Sequence, residues 1–377
     1  MDLWHISAID AHAYVLPTID STLNVLDTRT ATKALAFDQT LSHSLQSLAY
    51  QRSLRDIGEL LECEPTTEAI AIQRDRLGFE QTAQRCFEAA NLEGVILEQA
   101  PNFLIDQLLP MDWYRQWLKP YRLICLESLA EQMIPKVDRF DVFLEWFRSE
   151  LDPLPPNVVG FKTIAASRSG LDIHLVYPET AEDCFYNLKR QQIDKDAPVR
   201  LQKDLVDFLL LIALDVATQH QIPLLVQTGM GDSGMDLRLA NPLHLRPILE
   251  EPRYQSAPIV LQHGAYPFSQ EAGFLASQYS QVYVDIGLAI PCLSVRGMKH
   301  LVHQLLESAP IGKILYSSSG RTSPETFYLA AKWGRTVLGQ VLDEVVRDGD
   351  LTAQEAELGA IAILRGNAIR LYALPAE

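Results

Sequence analysis

Along the chain, short apolar runs alternate with longer stretches in which apolar residues recur at helical spacing. The short runs predict strands at Ala8–Val15, Gly94–Glu98, Arg122–Glu127, Val158–Ile164, Pro223–Thr228, Ile259–His263, Val282–Ile286 and Lys313–Ser317. Several are apolar at successive positions, as parallel strands buried on both faces are. Strands interleaved with helices in this number fit an α/β fold, a (β/α)8 TIM barrel, better than an open sheet. A buried helix segment can produce the same short run, so it is the alternation as a whole that carries the reading.

Helix signals support the alternation. Ser323-Pro324-Glu325 reads as an N-cap, a proline at the first helical position and an acid in the first turn. Thr352-Ala353-Gln354-Glu355 has the capping-box pattern, and Lys203 to Gln219 carries a helical period. The interval from Asp20 to Leu92 far exceeds an ordinary crossover of about a dozen residues. Its Leu, Ala, Gln and Glu content, broken at Pro65, predicts an N-terminal helical insertion packed over one barrel end. Such a segment fits a lid, an oligomer surface or extra packing. The expected organisation is a single barrel domain over residues 1–377, with the insertion at about 20–92.

Composition narrows the class. With 47% hydrophobic and 21% charged residues the 377-residue chain is an ordinary globular protein, which excludes disordered, collagenous and coiled-coil classes. A net charge of −16 argues against nucleic acid or an anionic membrane as the main partner. The apolar run Phe208 to Leu214 is flanked by Asp204, Asp207 and Asp215 and is far short of the roughly 20 residues a membrane span needs. The start, Met1-Asp2-Leu3-Trp4-His5, lacks the pattern of a secretory signal. Cys63, Cys86, Cys125, Cys184 and Cys292 are scattered, with no CxxC pair, and read as reduced core thiols of a cytoplasmic protein.

A barrel of this kind keeps its chemistry at the C-terminal ends of the strands. Read strand by strand, those ends carry Asp10, His12 and Tyr14, then Glu98, Glu127, Lys162, Gln227, His263 and Asp285, and finally Ser317-Ser318-Ser319. Period-two alternation places Asp10, His12 and Tyr14 on one face. A solvated strand end would carry polar groups too, so it is their number that suggests a site. Arg168, Arg321 and Asp232 lie in the loops after these ends, placed to contact a ligand, and the two arginines suit an anionic group. The glycine-rich loop Gly229-Met230-Gly231-Asp232-Ser233-Gly234 lacks the spacing of a phosphate cradle.

From about Val158 onward the chain resembles the amidohydrolase superfamily, in the amidohydrolase-related branch found alone or fused to glutamine-synthetase-like domains. The resemblance rests on Gln227-Thr228-Gly229, Asn241-Pro242-Leu243, His263-Gly264-Ala265-Tyr266-Pro267-Phe268, Tyr283-Val284-Asp285-Ile286-Gly287, Pro324-Glu325-Thr326-Phe327-Tyr328 and Gly366-Asn367-Ala368. Before Val158 it rests on Asp10-Ala11-His12 alone. The resemblance implies a metal-dependent hydrolase or decarboxylase. Two first-strand histidines, one from strand five and one from strand six would hold a divalent ion, and an aspartate after strand eight would take a proton from its bound water.

The chain departs from that pattern. His12 and His263 match, but Tyr14, Gln227 and Ser319 stand at the other three positions. Two imidazoles hold a zinc-like ion weakly, so the expected metal is weakly bound or absent. Lys162 matches a lysine of the family, and the resemblance allows it a bridging, carbamylated role. The residues themselves favour an ion pair with Asp285 or Glu127, and leave open a base or Schiff-base role, or a substitute site from Glu98, His12 and His263. Lys162, His263 and Asp285 are the catalytic candidates, and Arg168, Gln227, Asp232 and Arg321 the substrate-binding ones.

Two functions stay open. One is an amidohydrolase-like enzyme that hydrolyses or decarboxylates a small carboxylated molecule at a metal-poor site. The other is an inactive barrel that binds, scaffolds or regulates, a pseudoenzyme. The expected partner is a small molecule, with no nucleic acid and no membrane, and self-association into a homo-oligomer is compatible with either.

Overall fold

The computed structural model describes residues 1–18, 45–99, 107–191, 199–231 and 235–375. Its strands are β1 (Ala8–Tyr14), β2 (Leu92–Glu98), β3 (Lys119–Cys125), β4 (Val158–Thr163), β5 (Leu224–Val226), β6 (Ile259–Leu261), β7 (Val282–Asp285) and β8 (Ile314–Leu315). Each pairs in parallel with the next, in the order β1-β2-β3-β4-β5-β6-β7-β8. The chain leaving β8 closes the ring on β1, where the Ala11 amide donates to Tyr316 O, the Ser319 amide to His12 O and the Tyr14 amide to Gly320 O. With helices around the outside, this is a (β/α)8 barrel, as the alternation of runs predicts.

Strand ends differ from the sequence expectation in one way that matters for the site. β3 stops at Cys125, and Glu127 lies in the first turn of the helix Leu126–Met133. Its carboxylate turns sideways, accepting from Thr163 Oγ1 and from the Ile164 amide at 2.9 Å.

The barrel interior is a separate apolar core. Ile9, Ala11, Ile96, Leu123, Leu225, Val260 and Leu315 meet Ala368, Leu371, Tyr372 and Leu374. These last residues come from the C-terminal segment, where Tyr372 Oη donates to Ala11 O at 3.2 Å. The C-terminal segment thus closes the interior from below and leaves the strand C-termini as the mouth.

Of the long insertion, residues 20–44 lie outside the described residues. The rest forms α1 (Leu48–Leu61), with Ser47 as N-cap, and α2 (Thr67–Ala90), with Thr66 as N-cap. α2 kinks at Gly78, where φ is +74°, and ends on Asn91 in the left-handed region. Instead of lying over a barrel end, this described part packs along the wall against α3 (Pro324–Asp348). Lys332 pairs with Asp56 at 2.9 Å and Glu59 at 2.7 Å, the Arg52 guanidinium sits 3.7 Å from the Trp333 ring centroid, and Arg74 reaches Glu325 at 3.0 Å. α2 acts as the first crossover helix, which is why it needs an apolar side against the barrel.

The other helix signals are realised. The helix Lys203–His220 buries Phe208, Leu209, Leu210, Ile212, Ala213 and Leu214, and among the described residues no helix is long and apolar enough to cross a membrane. Pro324 opens α3 behind Ser323, which stands at the N-cap position without a side-chain capping bond, and Thr352 and Glu355 form both halves of the capping box. None of the five cysteines is in a disulfide; four are buried and Cys63 is half-buried.

Candidate active site

The mouth is built from groups that alternation and one bulge aim inward. The register from β1 to β2 pairs Asp10 with Val95 and then Ala13 with Leu97, so β1 carries one extra residue between them. The bulge re-phases the strand, so the expectation of one shared face fails for Asp10. Asp10 shares the side of Val95, in the helix-facing core, and bonds to the Ser318 amide at 2.7 Å and to the Ser318 hydroxyl. His12 and Tyr14 turn instead toward β4.

There they meet Lys162. Its ammonium donates to Glu98 Oε2 at 2.5 Å and to Tyr14 Oη at 3.0 Å, and lies 3.0 Å from His12 Nε2. His12 Nε2 is 2.9 Å from the same Glu98 oxygen, and His12 Nδ1 is 3.3 Å from Ser319 Oγ. Lys162, Glu98 and His12 are all buried. The ion pair of Lys162 is therefore with Glu98, not with Asp285 or Glu127: Glu127 is drawn off by the β4 turn and Asp285 by its own loop. Burial is the largest single effect and works against the charges of this pair, but the partner's field together with the hydrogen bonds and neighbouring groups outweighs it, holding Lys162 above the ordinary lysine range and Glu98 below the carboxylate range. Burial, reinforced by Lys162, lowers His12 and keeps it neutral. With Glu98 ionised, the His12 proton belongs on Nε2, donated to Glu98, and Ser319 Oγ donates to Nδ1.

The opposite side of the mouth holds His263 and Asp285. His263 stands at φ +64° in the turn after β6, and its Nδ1 lies 2.9 Å from Met230 O, so Nδ1 carries the proton and donates. Nε2 is left with its lone pair. Burial, with Lys162 and His12 adding, pushes His263 down to about 3. Asp285 Oδ1 accepts from the Gly287 amide at 2.8 Å, Ser317 Oγ at 3.0 Å and the His263 amide at 3.3 Å, while Oδ2 has no partner. Burial raises Asp285, partly offset by its hydrogen bonds from Gly287, Ser317 and the His263 amide. Asp10, buried behind this group, is pushed up to about 7 by burial against its bonds to Ser318.

The binding candidates separate. The Arg321 guanidinium lies 5.0 Å from the Tyr14 ring centroid and has no acidic partner among the described residues. Arg168 is engaged by Glu131 in a bidentate pair, at 2.8 Å and 3.1 Å. Gln227 accepts from Ser167 Oγ at 3.0 Å. Asp232 lies outside the described residues. Gln262, which the strand-end reading passes over, is fully buried with neither amide atom bonded, and Glu98 Oε1 is likewise unpartnered. No motif marks Gln262; only its position after the apolar β6 does. Of the remaining histidines, His220, His174 and His303 pair with Asp152, Asp172 and Glu344 at the surface. Among the described residues, no group of three or more His, Cys, Asp or Glu side chains has metal-binding geometry.

Residues 200–374 match the amidohydrolase family profile. This match covers a little under half of the chain and makes its C-terminal part similar to that family. It is 28% identical over 369 residues to protein fluG of Emericella nidulans, covering 89% of this chain and 42% of that one. It thus spans less than half the length of this curated relative. Among solved structures, a Lactobacillus casei protein described as a putative metal-dependent hydrolase superposes with a TM-score of 0.84 at 24% identity, covering 98% of this chain and 96% of that one. A uronate isomerase of Thermotoga maritima gives 0.65 at 13% identity, covering 98% and 95%. Both share the barrel fold with this chain.

Proposed function

We propose that this amidohydrolase-family barrel is an enzyme that binds a small carboxylated molecule at its mouth and hydrolyses or decarboxylates it without a tightly held metal. The observation that carries the reading is the division of the mouth: Lys162 and His12 are held together on Glu98 Oε2, whereas Glu98 Oε1, His263 Nε2 and Asp285 Oδ2 are left unengaged. A zinc-like ion needs imidazole lone pairs. His12 presents a proton instead, and an ammonium lies 3.0 Å from its Nε2. At about 4 Å and an effective dielectric near 20, a dication beside that ammonium would meet ~8 kcal/mol of repulsion. The residues do not fit the ion, and no step is assigned to one.

The chain's own groups suffice for acid–base work. Arg321, 5.0 Å from the Tyr14 ring centroid, is suited to receive a carboxylate, and the Tyr14 hydroxyl, accepting from Lys162, keeps its proton to donate. His263 is a neutral acceptor whose basicity is suppressed by burial and Lys162. A bound carboxylate offsets Lys162 and strengthens the imidazole as a base when substrate is present. Asp285, fixed through Oδ1 by three donors, offers Oδ2 to the reacting group.

The test is turnover of a panel of small carboxylates, followed by mass spectrometry and CO2 release, with and without chelator. Chelator-resistant turnover that is lost in His263→Gln and shows a raised KM in Arg321→Gln is the expected result. Binding of a carboxylate without turnover by any member would instead establish the second reading, an inactive binding barrel, which the engagement of Lys162 and His12 by Glu98 Oε2 favours.

A further inference from the structure

We propose that the Lys162 ammonium is the built-in cation of this mouth, standing among His12, Glu98 and Tyr14 where the family pattern puts a divalent ion, and that it excludes such an ion. Every side chain that would face the ion from the first strand faces Nζ instead. His12 Nε2 lies 3.0 Å from it, and Tyr14, at the position of the second imidazole, accepts from it at 3.0 Å. Glu98 supplies the carboxylate, at 2.5 Å. The Tyr14 ring also lies under the charge, 4.7 Å from its centroid to Nζ.

Charge balance supports the assignment. Lys162 and Glu98 form a buried pair of zero net charge. A dication added beside them would leave the mouth with an excess of two positive charges. Of the nearest other carboxyls, Asp10 already accepts from Ser318 through both oxygens, and Asp285, engaged by Gly287 and Ser317 through Oδ1, has only Oδ2 left, too little to offset two added charges. Replacing a metal by a lysine converts an exchangeable charge into a covalent one, which chelators cannot remove and zinc cannot raise. The inference holds whether the barrel is an enzyme or a binding protein, so its test is independent of turnover.

The experiment is metal uptake by the intact chain. Protein purified without chelator is titrated with zinc and with cobalt, with metal counted by elemental analysis and cobalt ligation read from its visible spectrum. The native chain should take up no stoichiometric ion. Lys162→Ala, which frees Glu98 and His12 to face His263, should bind close to one equivalent and lose it again when His263→Ala is added. Lys162→Met serves where the alanine variant does not fold. In the native chain, NMR of the lysine side chains should show a solvent-protected ammonium unmoved by chelator or zinc, a readout that needs no variant. One equivalent of zinc in the native chain, lost in His12→Ala, overturns the proposal. So does a folded Lys162 variant that stays metal-free, since Lys162 would then not be what keeps the ion out, and so does an ammonium signal that vanishes on adding zinc.

Discussion

At the residue scale, the mouth works through buried charges whose partners can be removed one at a time. Lys162 and Glu98 are both about 1% exposed, so removing either strands the other. Glu98→Ala or Lys162→Ala should each cost ~3–5 kcal/mol in urea unfolding, and the neutral pair Glu98→Gln with Lys162→Met clearly less than their sum. Additive losses would mean that the pair is not coupled. Two other groups tie stability to pH with opposite sign. Asp10 rises from 3.8 to about 7 on folding, so its stabilising contribution is complete below the lower value and lost as pH climbs toward the higher one. His263 falls from 6.5 to about 3, so its contribution is complete above the higher value and lost as pH drops toward the lower one. Asp10→Asn should therefore match the native chain at about pH 4 and gain on it toward neutrality, by up to ~4 kcal/mol. His263→Gln should match it near neutrality and gain on it in acid, by a similar ~4–5 kcal/mol. Urea midpoints across this range check both, and slopes of the reverse sign would refute the assignment. His12 and His263 were legible as strand-end residues because a histidine closing an apolar run is conspicuous. The partner of Lys162 was not, since the strand-end pattern puts Glu98, Glu127 and Asp285 on equal terms.

At the element scale, the mouth depends on how closely the loops after β5 and β6 approach. Gly229 stands at φ +61°, and a Cβ there would lie 2.3 Å from both Ala265 O and Tyr266 O. Those are backbone atoms of the turn that presents His263, so the contact cannot relax by a rotamer change. Gly229→Ala should cost about 3 kcal/mol or more, combining strain with overpacking. Gly349, also at positive φ but with nothing within 4 Å of its Cβ position, should cost only about 1 kcal/mol as alanine. Thermal or urea unfolding of the two variants separates backbone strain from close approach; equal losses would show that the approach of the two loops is unimportant. The bulge in β1 acts at the same scale. One extra residue separates the roles of Asp10 and His12, and no alternation rule applied to Asp10-Ala11-His12-Ala13-Tyr14 shows where an insertion re-phases the strand.

At the scale of the whole molecule, net charge and local charge pull in opposite directions. The chain carries −16, yet Arg321 at the mouth has no acidic partner among the described residues. A carboxylate is repelled at long range and attracted only close in. Raising ionic strength should therefore speed its association until the local attraction is screened as well, which stopped-flow binding would register as a rate that first rises with salt. A rate that falls from the lowest salt onward would mean that the mouth's field dominates at all distances. The insertion belongs to this scale too. Its helical character was readable from composition, but the wall it packs against was chosen by Asp56, Glu59 and Arg52 meeting Lys332 and Trp333, far along the chain.

The sequence by itself determined the barrel, because eight buried parallel strands and their crossover helices leave period and composition signals that are local and additive. It also brought most of the strand-end residues to one rim by chain order alone, with Glu127 and Asp10 the exceptions. Only the tertiary structure decided what those residues do to one another. Whether Lys162 pairs with Glu98 or Asp285, whether Arg168 is engaged by Glu131, and which nitrogen of His12 keeps its proton depend on distances of a few ångströms across a closed ring. Electrostatic and hydrogen-bond energies change steeply over such distances, whereas the hydrophobic pattern that builds the ring hardly senses them.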